Sequence, residues 1–341
     1  MQPLPQPITE PGIYDLTNEA YHADPAVSST QLVEACRSMA HFWEYSPRNP
    51  HRSESAKSKA LEFGTAMHMA LLEPALFESE YMVQPAKEDF PGLLDTTDEL
   101  IAYCRQTGLN DKGNKQKLIF NIRAFTSSHP PIWELIQKDF EEKSKGRKVV
   151  SAKEKQAIVR MADRLKVEDL RIPDGRRYRL SDLFKVGKAE ESIFWQDKDS
   201  GLMCRIRTDW RVDVPGWKLI MDYKTTQDAR QSAFGFSAQS LYYWMRAAMY
   251  IDGVEAVTGE RYDFAFLAQE KEPPYLAGRY FYADHNIDLG RELYKAKLKQ
   301  VAECLRTGKW PGYSDELREI LVTEHVVSRH PELEALAYGD I

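Results

Sequence analysis

The stretch from Trp217 to Thr226, W-K-L-I-M-D-Y-K-T-T, constrains this chain more than any other. It is an apolar run that ends on Asp222 and Lys224, two residues apart, so on a β-strand both side chains point to one face. Upstream, Cys204 to Val214 (C-R-I-R-T-D-W-R-V-D-V) alternates in the same way, and Pro215-Gly216 between the two runs is a turn signal. A hairpin closed at Pro215-Gly216 sets Asp209 opposite Asp222 and Arg207 opposite Lys224. One face then carries Arg207, Asp209, Asp222 and Lys224. The other carries Ile206, Trp210, Val212, Leu219, Met221 and Tyr223 and reads as core. A bulge would shift this register by one.

Two carboxylates directly opposed on a sheet repel each other. A fold tolerates them if a cation sits between them or one stays protonated. Hard carboxylate ligands suit Mg²⁺ or Mn²⁺, and a lysine beside them can hold an anion or orient an attacking water. Two acids, a divalent cation and a lysine meet the needs of metal-assisted phosphodiester hydrolysis. A surface hairpin with cross-strand ion pairs would display the same residues, so the hairpin alone leaves both readings open.

The rest of the composition narrows the class. The 341 residues are 43% hydrophobic and 29% charged, within the range of a soluble globular protein. No apolar run is long enough for a membrane span. The Pro-rich start, M-Q-P-L-P-Q-P, has no apolar segment of a secretory signal and reads as a flexible lead-in over residues 1–11. Cys36, Cys104, Cys204 and Cys304 are scattered, which excludes zinc and iron–sulfur spacings and fits reduced thiols in a cytoplasmic protein. The net charge of -6 argues against a chain that coats nucleic acid broadly and leaves room for a local basic channel. No Walker A sequence, G-x-G-x-x-G, G-x-S-x-G or H-E-x-x-H occurs, so ATPase, dehydrogenase, serine hydrolase and zinc protease readings lack support.

In chain order, a short strand from Gly12 leads to Tyr21-His22, and Ser28 or Ser29 caps a helix running through Leu32 to Trp43. A second helix starts near Ser55 to Lys59 and runs to Leu72, closed by Pro74. His68 lies one turn after Gly64 on the same face. Glycine inside a helix costs about 1 kcal/mol relative to alanine, so Gly64 points to the close approach of another backbone or a ligand. His68 reads either as a satisfied core residue or as a ligand. Residues 87–150 read as a loop-rich insertion with a helix near Thr97 to Thr107 and helical stretches at Ile119 to Ser128 and Pro131 to Phe140. Ser151 to Glu154 fits a capping box. Arg171, Arg176, Arg177 and Arg179 form the densest basic stretch, either an exposed loop or a phosphate contact. Strands follow at Lys188 to Trp195, on Asp209 and on Asp222, as a three-strand meander. One helix over about Ser232 to Ile251 comes next, then strands at Arg261 to Leu267 and Gly278 to Ala283. A helix from Ile287 to Leu305 ends at Gly308, and the tail from Glu316 allows one more helix.

Six segments in this order resemble the RecB-like branch of the PD-(D/E)xK nuclease superfamily, and within it the RecE-type exonucleases of the exonuclease VIII group. They are G-I-Y-D-L-T-N-E-A-Y-H (Gly12 to His22), L-x-x-G-T-A-x-H (Leu61 to His68), L-E-P (Leu72 to Pro74), A-E-x-S-I-F-W (Ala189 to Trp195), C-R-x-R-x-D (Cys204 to Asp209) and M-D-Y-K-T-T (Met221 to Thr226). The resemblance implies an α/β (α+β) fold with a restriction-endonuclease-like core: a mixed central sheet with an antiparallel meander, flanked by helices, with extra N-terminal helices. Residues 12–313 would be one nuclease domain and 314–341 a tail.

The resemblance also implies roles. His68, Asp209, Asp222 and the Tyr223 backbone carbonyl would bind Mg²⁺ or Mn²⁺. Lys224 would position or activate the attacking water, and Glu190 would serve a second metal or the water. RecB-like nucleases carry Q-x-x-x-Y on the helix after the D-x-K strand. Here the counterpart is Arg246 with Tyr250, with Arg in place of Gln, or else Gln239 with Tyr243. Arg205, Arg207 and Arg246 would face DNA phosphates. The implied activity is 5′-to-3′ digestion of linear double-stranded DNA without ATP, leaving 3′ single-stranded tails. The implied assembly is a ring-shaped homo-oligomer with a single-strand-annealing partner of the RecT kind. A structure-specific or single-strand endonuclease of the same core, or an inactive DNA-binding module, would share the fold.

Overall fold

The computed structural model describes residues 6–53, 59–125, 128–172, 174–322 and 329. The expected helix start over 55–58, part of the expected Ile119 to Ser128 helix and most of the tail lie outside them.

The chain opens with β1 (Gly12–Tyr14), α1 (Asn18–Ala23) and β2 (Val27–Ser28). Ser28 then caps α2 (Ser29–Arg37) in a reciprocal box with Gln31. The helix expected to continue to Trp43 breaks at Ser38, whose extended backbone ends α2 and whose hydroxyl caps α3 (Met39–Glu44). α4 (Lys59–Leu72) carries His68. Pro74 does more than close it. It stands at the first turn of a new helix, α5 (Pro74–Glu80), where its missing N–H costs nothing.

β3 (Tyr81–Val83) pairs in parallel with β4 (Lys148–Val150) and frames the insertion. Between them lie α6 (Thr97–Thr107), α7 (Lys115–Phe125) and α8 (Trp133–Lys143). These helices enclose a small apolar cluster of their own around Leu100, Cys104, Leu118, Ile122 and Ile132, so the segment is more helical than its polar composition implied. α9 (Ala152–Lys166) starts at the expected Ser151–Glu154 capping box. The basic stretch forms a small hairpin of β5 (Asp169–Arg171) and β6 (Arg177–Arg179), followed by α10 (Leu180–Val186).

The central sheet holds β7 (Lys188–Gln196), β8 (Met203–Val214), β9 (Trp217–Thr226), β10 (Asp263–Glu270) and β11 (Ala277–Tyr280), in the order β1-β7-β8-β9-β10-β11, with β2 on β8. β7, β8 and β9 form the expected antiparallel meander. β10 lies parallel to β9, as a helical crossover requires, and makes the sheet mixed. The crossover is two helices where one was expected: α11 (Gln231–Ser240) and α12 (Tyr243–Thr258), separated at Tyr242, whose φ is 55°. α13 (Asp284–Thr307) ends on Gly308 at φ 69°. It packs on α12 through Gly290, where a Cβ would lie 2.4 Å from the Trp244 carbonyl oxygen.

Helices cover both faces of the sheet. On one, α2, α3, α12 and α13 bury Ile193, Trp195, Ile206, Ile220 and Phe266. On the other, α4, α9 and α10 bury Trp210, Val212, Leu219, Met221 and Tyr223. Ile206 was expected with this second set and lies in the first. The strict alternation of β8 is lost between Ile206 and Trp210, and the site explains why.

Candidate metal and active site

The site lies where the hairpin opens. β7 occupies one edge of β8 along most of its length, so β9 and β2 share the other. β9 pairs with β8 from Val214–Trp217 to Trp210–Met221, in the register set by the Pro215-Gly216 turn. Among the described residues the ladder stops there, one step before Asp209 would oppose Asp222. On its other edge, the β7 pairing passes from Ala189–Trp210 to Glu191–Thr208 and omits Glu190 and Asp209. Glu190 has φ 54°, a left-handed conformation that costs a side-chain-bearing residue about 1–2 kcal/mol. Asp209 therefore sits in a gap on both sides, and its Oδ2 accepts the Tyr223 N–H at 2.8 Å instead.

α4 brings His68 into this gap. Its Nδ1 lies 3.1 Å from Glu190 Oε1 and its Nε2 3.1 Å from Asp209 Oδ2. Ligand atoms of His68, Glu190 and Asp209 all lie within 4.8 Å of one another. Glycine at 64 eases this approach: a Cβ there would stand 3.2 Å from Thr225 Oγ1, so the threonine would have to shift by a few tenths of an ångström. Lys224 Nζ contacts the Asp222 carboxylate, stands 3.6 Å from Asp209 Oδ2 and donates to the Tyr223 carbonyl at 3.3 Å.

The electrostatics follow from burial and crowding. Burial would push the His68 imidazole down, but the charge and hydrogen bond of Asp209, with Glu190, outweigh it and hold its pKa up at about 9. Burial pushes the Glu190 carboxyl up to about 7, with Asp209 adding and His68 and Arg207 opposing. Burial would also raise Asp209, yet Lys224 and His68 beside it, and the Tyr223 N–H, hold it below the usual carboxylate range. Asp222, 5% exposed, is pushed up by burial and by the charge of Asp209 against the pull of Lys224. Burial alone would lower Lys224, but the two aspartates hold its ammonium above its ordinary value. The site is thus two acids of unlike proton affinity around one lysine.

The expected ligand set is partly rearranged. His68 and Asp209 meet as the resemblance implied, and Glu190 joins them directly. Asp222 and the Tyr223 carbonyl instead face the Lys224 ammonium. One imidazole and two carboxylates, with Asp222 alongside, form a hard oxygen-rich donor set that fits Mg²⁺ or Mn²⁺.

On α12, Arg246 lies over the Tyr243 ring at 5.6 Å, and Tyr243 in turn faces Lys224 Nζ at 6.0 Å. Burial works against the Arg246 charge, but Tyr250, Asp222 and Tyr243 around it hold its pKa up. Arg246 with Tyr250 therefore stands at the site. Gln239 is exposed on the preceding helix, on the far side of the Tyr242 break. Arg205 is buried, 2% exposed, and offers no surface to a phosphate as folded. Its guanidinium and that of Arg207 lie over the Tyr21 ring at 4.7 and 4.6 Å. Arg207 donates to Ser192 Oγ and stands 3.7 Å from Glu190 Oε2, so it braces the left-handed Glu190.

Two contributors escaped the sequence reading. Tyr21 is the ring that both arginines cover. Gln269 is fully buried: it accepts the Tyr223 hydroxyl at 2.7 Å and donates to the Met161 and Tyr275 carbonyls, which ties the D-Y-K segment to α9. Its one signal was a lone uncharged polar residue in the apolar run D-F-A-F-L-A-Q-E.

The family described as PDDEXK-like domain of unknown function (DUF3799) matches residues 28–320. Among solved structures, the crystal structure at 2.19 Å of a Eubacterium rectale protein, provisionally named an exonuclease, is similar at 12% identity and a TM-score of 0.44, covering 93% of this chain and 99% of that one. No curated protein matches.

Proposed function

Because the chain belongs to the PDDEXK-like family, within the PD-(D/E)xK nuclease superfamily, we propose that it is a metal-dependent exodeoxyribonuclease that digests linear duplex DNA from 5′ to 3′ and leaves 3′ single-stranded tails. The observation that carries this reading is the convergence of His68, Glu190 and Asp209 within 4.8 Å, beside an Asp222–Lys224 pair, at the one point where the meander comes apart.

In this reading His68, Glu190 and Asp209 would hold the cation, with Asp222 and the Tyr223 carbonyl beside them on the Lys224 ammonium. A bound Mg²⁺ or Mn²⁺ supplies Lewis-acid polarisation of the scissile phosphate. Lys224, charged throughout the physiological range, orients the attacking water. Asp209 remains ionised, and Asp222 keeps the ammonium in place. Arg246 offers a charged fork to a phosphate oxygen. The resemblance to RecE-type enzymes extends the proposal to a ring-shaped homo-oligomer around DNA, to independence from ATP and to an annealing partner of the RecT kind. A monomer in sedimentation at working concentration removes the ring.

The test uses linear duplex DNA labelled at the 5′ end or internally, with Mg²⁺, Mn²⁺ or EDTA, and closed circular DNA alongside. Early release of 5′ label, metal dependence and sparing of the circle are expected. Attack on the circle makes the protein an endonuclease. A folded sample inert with both metals overturns the enzymatic reading.

A further inference from the structure

The insertion carries charge and aromatic surface that the catalytic site does not use. From Lys112 to Phe125 the chain has Lys112, Lys115, Lys117 and Arg123 and no acidic residue, in a protein whose net charge is -6. Among the described residues many exposed cations elsewhere are ion-paired, as Arg105 is with Asp111 and Lys148 with Glu80, while others such as Arg171, Arg177 and Lys198 are not. Among the described residues Lys112, Lys117, Arg123 and, on α8, Lys138 have no carboxylate partner. Of the acids close by in sequence or lining the groove, Asp111 is engaged by Arg105 and Glu134 by Lys115 and Gln116, while Glu141 at the groove's α8 side has no cation partner among the described residues.

Phe120 stands between these cations. It is 70% exposed, and Lys117 and Arg123 lie three residues to either side on the same helix face. Phe125, 60% exposed, follows at the end of the helix. The Phe120 ring is not used in the packing of α7, which buries Leu118, Ile119 and Ile122 on its inner face, so it is free to meet a partner. That inner packing makes the outer face a fixed platform. Beside it runs an open groove of about 800 Å³, with Phe120 and Arg123 on the α7 side and Lys138 and Glu141 on the α8 side.

We propose that the α7–α8 face is a binding surface for single-stranded nucleic acid, with Phe120 stacking on a base and Lys117, Arg123 and Lys138 meeting the phosphates on either side of it. Aromatic rings interleaved with unneutralised cations fit an unpaired strand, whose bases are free to stack, better than a duplex, whose bases are not. An acidic protein surface would use the cations and an apolar one the ring, whereas a single strand offers phosphates and unpaired bases together. The proposal rests on the nuclease reading only for its purpose, since an exonuclease on duplex DNA generates a free strand that needs a place to go.

The experiment measures binding of a labelled single-stranded oligonucleotide and of a blunt duplex by fluorescence anisotropy, with EDTA present so that nothing is cut. Phe120→Ala is expected to weaken single-strand binding by about 5- to 150-fold with an unchanged salt slope. Lys117→Gln with Arg123→Gln is expected to lower the slope of log K against log salt by about 1.4. Phe120→Trp keeps the affinity and is quenched by the strand. Affinities within about twofold of wild type for both variants overturn the proposal, as does an equal loss on duplex. A changed sedimentation coefficient in these variants also overturns it, because the face would then be a contact between copies. None of these outcomes depends on cleavage, so the nuclease reading stands or falls on the digestion assay alone.

Discussion

The two ends of the β8–β9 hairpin are built from the same kind of sequence and do opposite things. At the tip, Val214–Trp217 down to Trp210–Met221, every position is paired, and Arg176 clamps the turn by donating to the carbonyls of Pro215 and Gly216 at 3.0 and 3.1 Å. At the base, Asp209 lacks a ladder partner on both sides, Glu190 is held in a left-handed conformation, and His68 reaches in from another layer. The regular end satisfies its backbone with backbone. The open end satisfies it with side chains, the Tyr223 N–H going to Asp209. A break in a sheet is costly only while its polar groups are orphaned. Here the carboxylates that would repel each other across an intact ladder fill the break.

The sharpest way to test that division is to remove charge from the open end. Lys224→Ala or Asp222→Ala is expected to reduce cleavage of linear DNA by about 10²–10³ or more while far-ultraviolet circular dichroism stays that of the wild type. Either variant cutting at the normal rate would detach the chemistry from this site.

Glu190 separates strain from function. Both Glu190→Gly and Glu190→Ala remove a proposed ligand, so both are expected to lose most of the rise in melting temperature that Mn²⁺ gives the wild type. Only glycine is at ease at φ 54°, so Glu190→Gly is expected to be more stable than Glu190→Ala by about 1 kcal/mol in metal-free urea denaturation. Equal stability would mean that the left-handed turn relaxes at no cost and that the base is not strained.

The contrast also explains how much was legible in the residues. The tip register, the meander and the capping box at Ser151 are local: alternation, Pro-Gly and Ser-x-x-Glu report on neighbours in sequence. The likeness of six segments brought His68, Asp209, Asp222 and Lys224 together, because their types and order are the signal. What escaped depends on partners far apart in the chain. Ile206 looks like a core residue of the Trp210 face and changes sides because β8 is distorted beside a left-handed Glu190, which no local pattern announces. Gln239 and Arg246 fit the same spacing rule, and only the break at Tyr242 turns one away from the site and leaves the other on it. Arg205 was expected to face a phosphate and is buried against Tyr21, far away in the sequence, which no local pattern announces.

A smaller effect is expected from proton uptake at the open end. In the metal-free protein His68 has its pKa raised from 6.5 to about 9 and Glu190 from 4.5 to about 7. A raised folded-state pKa stabilises the fold fully below the unfolded value, and that stability is lost as pH rises through the folded one. Both groups therefore act in one direction, Glu190 between about pH 4.5 and 7 and His68 between about 6.5 and 9. In EDTA the melting temperature is expected to decline from pH 6.5 to 9, and His68→Gln to flatten that decline. A wild-type profile that is flat or rising over this window would show that His68 is not held between the two carboxylates.

The smallest effect is expected at the tip, and it bears most directly on whether the two ends are independent. Arg176→Ala removes the clamp on Pro215 and Gly216 and leaves Asp174 without its partner, all on the protein surface. Backbone amides near Val214 and Trp217 should then exchange with solvent faster, since a loosened turn frays from its end. The Tyr223 amide, bonded to Asp209 beyond the last ladder pair, should keep its protection, and cleavage should stay within about twofold of wild type. A tenfold loss of cleavage would mean that the ladder transmits the tip's geometry to Asp209 and Lys224. The regular end would then be part of the catalytic apparatus and not only its support.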